Sequence, residues 1–192
     1  MGLLGALFGR GGSAHSNWAE ALGALSQAAT FIQNDLETLP QGQAGLIVQP
    51  DDDASHEDAS AKVTRLLEND ETLSSVRYRI QPDKHLHAWV ILESKPLEDL
   101  TESLWKVAES LKERGMEDRL LAAVFPFTWQ NKPLYWLLRI STGRFTPFVP
   151  VGQMEDEERD HPLEIRMEKA LRKTIPTARS VKQWYPLWGI PI

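Results

Sequence analysis

The chain has 192 residues, of which 42% are hydrophobic and 25% are charged, which suits one globular domain with a full core. The absence of cysteine excludes disulfide bonds, thiolate zinc sites and cysteine nucleophiles. A formal net charge of −6 argues against an extended nucleic-acid-binding surface. No apolar run approaches the roughly 18 residues of a membrane span, and MGLLGALFGR lacks the leading positive charge of a secretory signal, so we expect a cytoplasmic protein.

The first sixteen residues predict a short apolar segment followed by a flexible, Gly- and Ser-rich joint. Glycines weaken any helix in the segment, and a helix this short needs a surface on which to pack. That surface is a partner protein, a membrane interface or the domain's own core. We expect residues 1–10 to pack poorly on the domain or to project from it, with contacts made by Leu3, Leu4, Leu7 and Phe8.

The first half of the domain predicts two helical regions and three strands. Asn17 and Glu20 have the spacing of a capping box, and apolar residues at helical spacing continue one helix, or a broken pair, up to the first proline. A short strand at 44–50 precedes the acidic loop DDDASHED, and a helix follows that loop. Residues 75–81 and 86–93 predict a hairpin, because SVRYRIQ alternates apolar and polar side chains.

The second half predicts a long helix and a strand-rich region. Pro96 begins a helix whose apolar stripe ends near Gly115, a residue typical of helix C-termini. LLAAVFPF at 120–127 predicts a strand that is covered on both faces. Two further strands and a last helix are predicted at 134–140, 144–150 and 162–174.

This order of elements predicts an α+β fold. The central succession of strand, helix, two strands, helix and strand is ferredoxin-like, and the later strands extend an antiparallel or mixed sheet with helices mainly on one face. A secretion-chaperone-like α+β fold is the alternative. We expect an apolar segment and joint at 1–16, a single domain at 17–183, and a strap at 184–192 that packs on the domain.

The sequence shows no motif typical of a catalytic site, such as a glycine-rich phosphate loop, G-x-S-x-G or H-E-x-x-H. We therefore expect no enzyme activity, no catalytic residue and no cofactor. His85 and His87 could bind a metal with Asp83, but this pattern is more typical of structural or solvated histidines. The acidic run at 51–53 lacks the ligand spacing of a calcium loop, so we expect no metal site.

Arginines on the predicted sheet make a weak candidate for an anion site. Arg77 and Arg79 share the polar face of one strand and could converge with His87, while Arg139 and Arg144 flank the later hairpin. Arginine clusters bind anions through charge-assisted hydrogen bonds. A ligand- or anion-binding domain, with or without enzyme activity, is therefore the alternative to an interaction protein.

The tryptophans fall into a core group and a tail group. Trp89, Trp105 and Trp136 lie within regular elements, where we expect them to pack in the core. The closing stretch WYPLWGIPI carries no charged side chain, and two exposed tryptophans there would favour aggregation. We expect it to fill an apolar groove of its own domain, with docking to a partner as the alternative. The strap residues are Trp184, Tyr185, Pro186, Leu187 and Trp188.

Charge is distributed unevenly along the chain. Residues 161–192 contain six Lys and Arg against two Glu, whereas residues 41–72 are acidic. Such runs usually form solvated faces. Contact of the basic tail with anionic lipid or with an acidic partner is the alternative.

The opening MGLLGALFGR, the strand end AVFPF, the hairpin GRFTPFVP and the closing WYPLWGIPI together resemble the PspA-associated PspAB family. The closing motif, from Trp184 to Gly189, is the most specific part. The resemblance implies a non-enzymatic accessory protein of the envelope stress response that binds a PspA-type or related membrane-associated partner. It carries over no catalytic residue. We expect no nucleic-acid partner, and weak contact with the inner face of the cell membrane stays open.

Overall fold

The fold is that of a computed structural model and is described for residues 17–50, 59–152 and 157–192. Its helices are α1 (Trp18–Gln27), α2 (Ala29–Asn34), α3 (Ala59–Leu67), α4 (Leu97–Glu113) and α5 (His161–Leu171). Its strands are β1 (Thr38–Pro40), β2 (Gln43–Val48), β3 (Tyr78–Pro82), β4 (Ala88–Glu93), β5 (Leu120–Trp129), β6 (Lys132–Arg139), β7 (Arg144–Phe148), β8 (Pro150–Val151) and β9 (Glu158–Arg159).

One sheet organises the fold. Its strands lie in the order β3-β4-β2-β5-β6-β7, and β1 pairs with the C-terminal end of β5. All of these pairings are antiparallel. The central part, β2-α3-β3-β4-α4-β5, has the ferredoxin-like succession of elements, and β6 and β7 extend the sheet beyond β5. The predicted α+β class and its additional strands are therefore confirmed, and β8 and β9 form a separate small ribbon.

The two faces of the sheet are covered differently. Alternate residues of the central strands, such as Leu46 and Val90, join the helices in one large buried cluster. Their neighbours, such as Ile47 and Trp89, belong to a second cluster that contains strand and tail residues, with no contribution from the described helices. The central strands are thus buried on both faces, which explains their near-continuous apolar sequence.

The ends of several elements follow local rules. Gly115 ends α4 with a φ of +80°, and Gly143 turns the β6–β7 hairpin with a φ of +61°, conformations that glycine adopts readily. Asp160 caps α5 by accepting a hydrogen bond from the Leu163 amide at 3.0 Å. The predicted helical region before the first proline is a broken pair, interrupted at Ala28.

Two expectations about individual residues are wrong. Asn17 precedes α1, but its side chain makes no capping hydrogen bond. Trp89 and Trp136 are buried, whereas Trp105 is 43% exposed. Leu104 and Val107 of α4 face the core. Trp105 follows Leu104 directly, so it is rotated by about 100° around the helix axis and points towards solvent. β1 and the β8–β9 ribbon were not expected, since two or three residues carry too little periodicity.

Candidate interaction surfaces

The predicted contact residues at the N-terminus lie outside the described residues. These are Leu3, Leu4, Leu7 and Phe8, and the acidic run at 51–53 falls outside as well. Their predicted roles therefore stay predictions.

The tail after α5 is anchored at Trp184. This side chain is buried, and its indole Nε1 donates a hydrogen bond to the carbonyl oxygen of Ala178. The Arg159 guanidinium donates from Nη1 to the carbonyl oxygen of Trp184 at 3.2 Å. The indole N–H of a buried tryptophan usually donates a hydrogen bond in this way. The strap therefore starts from a fixed point at the edge of the sheet.

Beyond Trp184, the strap crosses the sheet face that carries no helix. Leu187 is buried in the second cluster, and Trp188 packs edge-on against Phe148 with 4.9 Å between ring centroids. Ile190 and Ile192 are partly buried against the same cluster. The strap thus packs on its own domain. The division of the chain into segment, domain and strap stays a prediction.

Two strap residues lie closer to solvent. Tyr185 is 36% exposed, and the Arg139 guanidinium lies over its ring at 4.8 Å. Pro186 and Leu187 border a small apolar groove between the strap and strands β2, β5, β6 and β7. The cavity volume of this groove is about 40 Å³, which leaves room for little more than one water molecule.

A buried ion pair holds the anchor in place, and the sequence analysis missed it. Glu164 is fully buried on α5, accepts a hydrogen bond from Arg159 Nε at 2.9 Å and caps the Val149 amide at 2.9 Å. Because Arg159 also binds the Trp184 carbonyl, one arginine joins α5 to the strap. The sequence analysis assigned no role to Glu164, because it did not predict the two-residue strand β9 that carries Arg159.

The predicted arginine face lies on the edge strand β3. Arg79 is exposed, donates to Gln81 Oε1 at 2.5 Å and lies 3.9 Å from Glu93. Arg77 borders an open groove of about 580 Å³ that Glu93, Asp99 and Glu102 also line. Lys95 and Lys106 line the same groove, so cations and carboxylates alternate there and the anion site stays a prediction.

His87 pairs with a carboxylate rather than joining the arginines. It is buried, and its ring Nδ1 lies 3.0 Å from Asp83 Oδ2. The Trp89 indole donates to the same oxygen at 3.3 Å, and the His85 amide donates to the other oxygen at 2.7 Å. Burial alone would raise the pKa of Asp83, but the hydrogen bonds from His87 and the His85 amide, with the charge of His87, lower it to about 2.

The Asp83–His87 pair closes the β3–β4 turn. Among the described residues, no serine or threonine hydroxyl forms a hydrogen bond with the His87 ring. Within the same part of the chain, no group of three or more His, Asp or Glu side chains is arranged to hold a metal ion. The arrangement orders the turn and gives the buried histidine a hydrogen-bond partner.

The exposed face of α4 carries a stripe that the sequence analysis did not single out. Trp105 lies at its centre, with four glutamates at spacings of three and four residues on the same face, namely Glu98, Glu102, Glu109 and Glu113. Lys106 and Lys112 partly balance it, through contacts of 2.7 Å to Glu102 and 3.4 Å to Glu109. A helical-wheel projection of α4 would have shown this stripe, because the apolar residues define the buried face and the stripe lies opposite to it.

Comparison with known proteins gives the family but no closer relative. No curated protein and no solved structure matches the chain. In the described residues, no helix combines the length and the apolar character that crossing a membrane requires. The family model PspAB, described as PspA associated protein B, matches residues 1–192. The chain therefore belongs to the PspAB family, as its opening and closing motifs had indicated.

Proposed function

We propose that this protein is a non-enzymatic accessory protein of the envelope stress response that binds PspA directly. The observation that carries the proposal is the match of the family model, whose description names an association with PspA, to all 192 residues. An interaction role also fits the exposed side chain of Trp105, which packing of the domain does not explain. The alternative, a ligand-binding domain on the arginine face, lacks a comparable observation.

The α4 stripe is the surface that we assign to PspA. Trp105 is 43% exposed, whereas Trp89 and Trp136 are at most 2% exposed, so packing of the domain does not require an indole at position 105. Tryptophan is enriched among the residues that dominate binding energy at protein interfaces. The glutamates around it favour a partner surface with lysine or arginine side chains, which would steer association and fix its orientation.

Binding of the purified full chain to purified PspA, measured by titration calorimetry, tests the proposal. Trp105→Ala is expected to weaken binding about thirtyfold, since an interface residue of this kind contributes about 2 kcal/mol. Tyr185→Ala is the matched control, because Tyr185 is an exposed aromatic residue on the opposite face of the sheet and should leave Kd unchanged.

Three outcomes would contradict parts of the proposal in different ways. If the purified proteins do not bind, direct association is wrong. If they bind and Trp105→Ala has no effect while Leu4→Ser/Phe8→Ser abolishes binding, the contact belongs to the N-terminal segment. Peptide, ester and phosphate substrates should show no turnover; turnover that disappears in a folded single-residue variant would overturn the non-enzymatic role.

A further inference from the structure

Positive charge is concentrated at one edge of this acidic protein. Residues 169–192 contain five Lys and Arg and no Asp or Glu, although the whole chain carries a formal charge of −6. Lys169, Lys173, Arg179 and Lys182 are exposed, and none of the four makes an ion pair with another described residue. Their charges are therefore not neutralised locally by the part of the chain that the structure describes.

Backbone hydrogen bonds hold the chain after α5 against the edge of the sheet. The Phe145 amide donates to the Pro176 carbonyl at 2.8 Å and the Ala178 amide donates to the Phe145 carbonyl at 2.9 Å, so the tail runs along the free edge of β7. Arg144 on that edge donates to the Thr177 carbonyl at 3.2 Å and adds a further cation beside the tail.

An apolar tip lies within the same stretch. After Ala178 the chain forms a loop that returns to it, because the Trp184 indole donates to the Ala178 carbonyl. The loop contains the 3-10 turn Val181–Gln183, in which Val181 is 43% exposed, and Tyr185 follows at 36% exposure. We call residues 179–185 the basic loop, since Arg179 and Lys182 flank its exposed valine.

We infer that the basic loop and the end of α5 form a surface that binds anionic phospholipid. A cluster of lysine and arginine side chains is attracted to an anionic bilayer surface, and an exposed aliphatic side chain between them gains by entering the interface. A phosphate backbone would satisfy the cations but offers no apolar surface to Val181, and absence of vesicle binding would leave an acidic protein surface as the occupant. The attachment is weak and reversible, because it uses few charges and one small apolar side chain.

This inference does not depend on binding to PspA, because its test needs only the purified full chain and vesicles. Co-sedimentation is measured with phosphatidylcholine vesicles that contain or lack phosphatidylglycerol, at low and high salt. Binding is expected only with phosphatidylglycerol and is expected to fall at high salt. Arg179→Ser/Lys182→Ser should lower the partition coefficient about thirtyfold, roughly fivefold for each base.

Lys84→Ser/Lys95→Ser is the matched control. It removes the same charge from two exposed lysines at the β3–β4 side of the sheet, opposite the β7 edge, and should change the partition coefficient less than about twofold. Equal losses in both double variants would show that net charge alone drives binding and would overturn the inference. Binding that is absent, insensitive to phosphatidylglycerol or unchanged in Arg179→Ser/Lys182→Ser would overturn it as well.

Site-specific labelling then locates the contact. The chain has no cysteine, so Val181→Cys and Lys84→Cys each give one attachment point for an environment-sensitive dye. The dye at position 181 is expected to show increased emission with phosphatidylglycerol vesicles, and the dye at position 84 is expected to stay unchanged. An increase at position 84 alone would place the lipid contact on the wrong edge and overturn the inference.

Discussion

At the scale of single residues, Gly45 shows how closely the strap packs on the sheet. A Cβ atom at this position would lie 2.9 Å from the Trp89 ring and 3.1 Å from the Ile192 side chain. Both neighbours are themselves packed in the second cluster, so one of them must shift. We expect Gly45→Ala to lower the free energy of unfolding by about 1–3 kcal/mol, as overpacking commonly does, in urea denaturation.

Gly23 provides the matched control for this substitution. It lies inside α1, and a Cβ atom there would meet nothing within 4 Å. Replacement by alanine should therefore stabilise the helix by about 0.5–1 kcal/mol through propensity alone. If Gly45→Ala were as stable as Gly23→Ala, the close contact between β2 and the strap would be refuted.

Asp83 makes stability depend on pH in the acid range. Its pKa is about 2 in the folded protein against an ordinary value of 3.8, so the folded state binds the proton less readily than the unfolded state. The resulting stabilisation is present above about pH 4 and is lost as the pH falls towards 2. We expect Asp83→Asn to cost about 2 kcal/mol at pH 5 and much less near pH 2, in urea denaturation at each pH.

Asp118 is the control for the acid titration. It is exposed and forms no ion pair with another described residue, so we expect Asp118→Asn, as an ordinary surface substitution, to change the free energy of unfolding by less than about 0.5 kcal/mol. A constant difference between Asp83→Asn and the unmodified protein from pH 5 to pH 2 would mean that the carboxylate charge does not stabilise the turn.

At the scale of elements, the strap replaces the helical layer that the second sheet face lacks. Trp184 and Leu187 are buried, and Trp188 packs against Phe148. Each such side chain contributes about 1.5–3 kcal/mol when it is removed from water. Deleting residues 184–192 should therefore lower Tm by 10 °C or more, on the order expected for several kcal/mol in a domain of this size, measured by calorimetry. A truncated protein that melted within a degree or two of the full chain would favour a docking role for the strap.

The sequence predicted elements better than it predicted pairings of side chains. Continuous apolar runs such as LLAAVFPF and the alternation of SVRYRIQ report burial directly, so β5 and the polar face of β3 were predictable. The ion pair of Arg159 with Glu164 was not predictable, although the two residues are only five positions apart, because the two-residue strand β9 and its turn into α5 carry no periodic pattern. Trp105 was misassigned because its residue type, which favours burial, was weighed above its position on the exposed face of α4.

For the whole molecule, the unequal covering of the two sheet faces predicts an unequal resistance to opening. Five described helices pack on one face, whereas the other depends on the strap. No residue from 185 to 192 donates a backbone hydrogen bond to another described residue, so only side-chain packing holds the strap beyond Trp184. Local opening of such a segment requires less free energy than global unfolding.

Adjacent residues of β5 can measure this difference because they lie on opposite faces. Val124 is fully buried in the strap-side cluster and Ala123 is fully buried in the helix-side cluster. In this cysteine-free chain, Val124→Cys should react with a thiol reagent through opening of the strap, and Ala123→Cys only through global unfolding. We expect at least about tenfold faster labelling at position 124 under native conditions, with a weaker dependence on urea, because a local opening exposes less surface than unfolding does. Equal rates with equal urea dependence would mean that the strap and the helical face open together, as one cooperative unit.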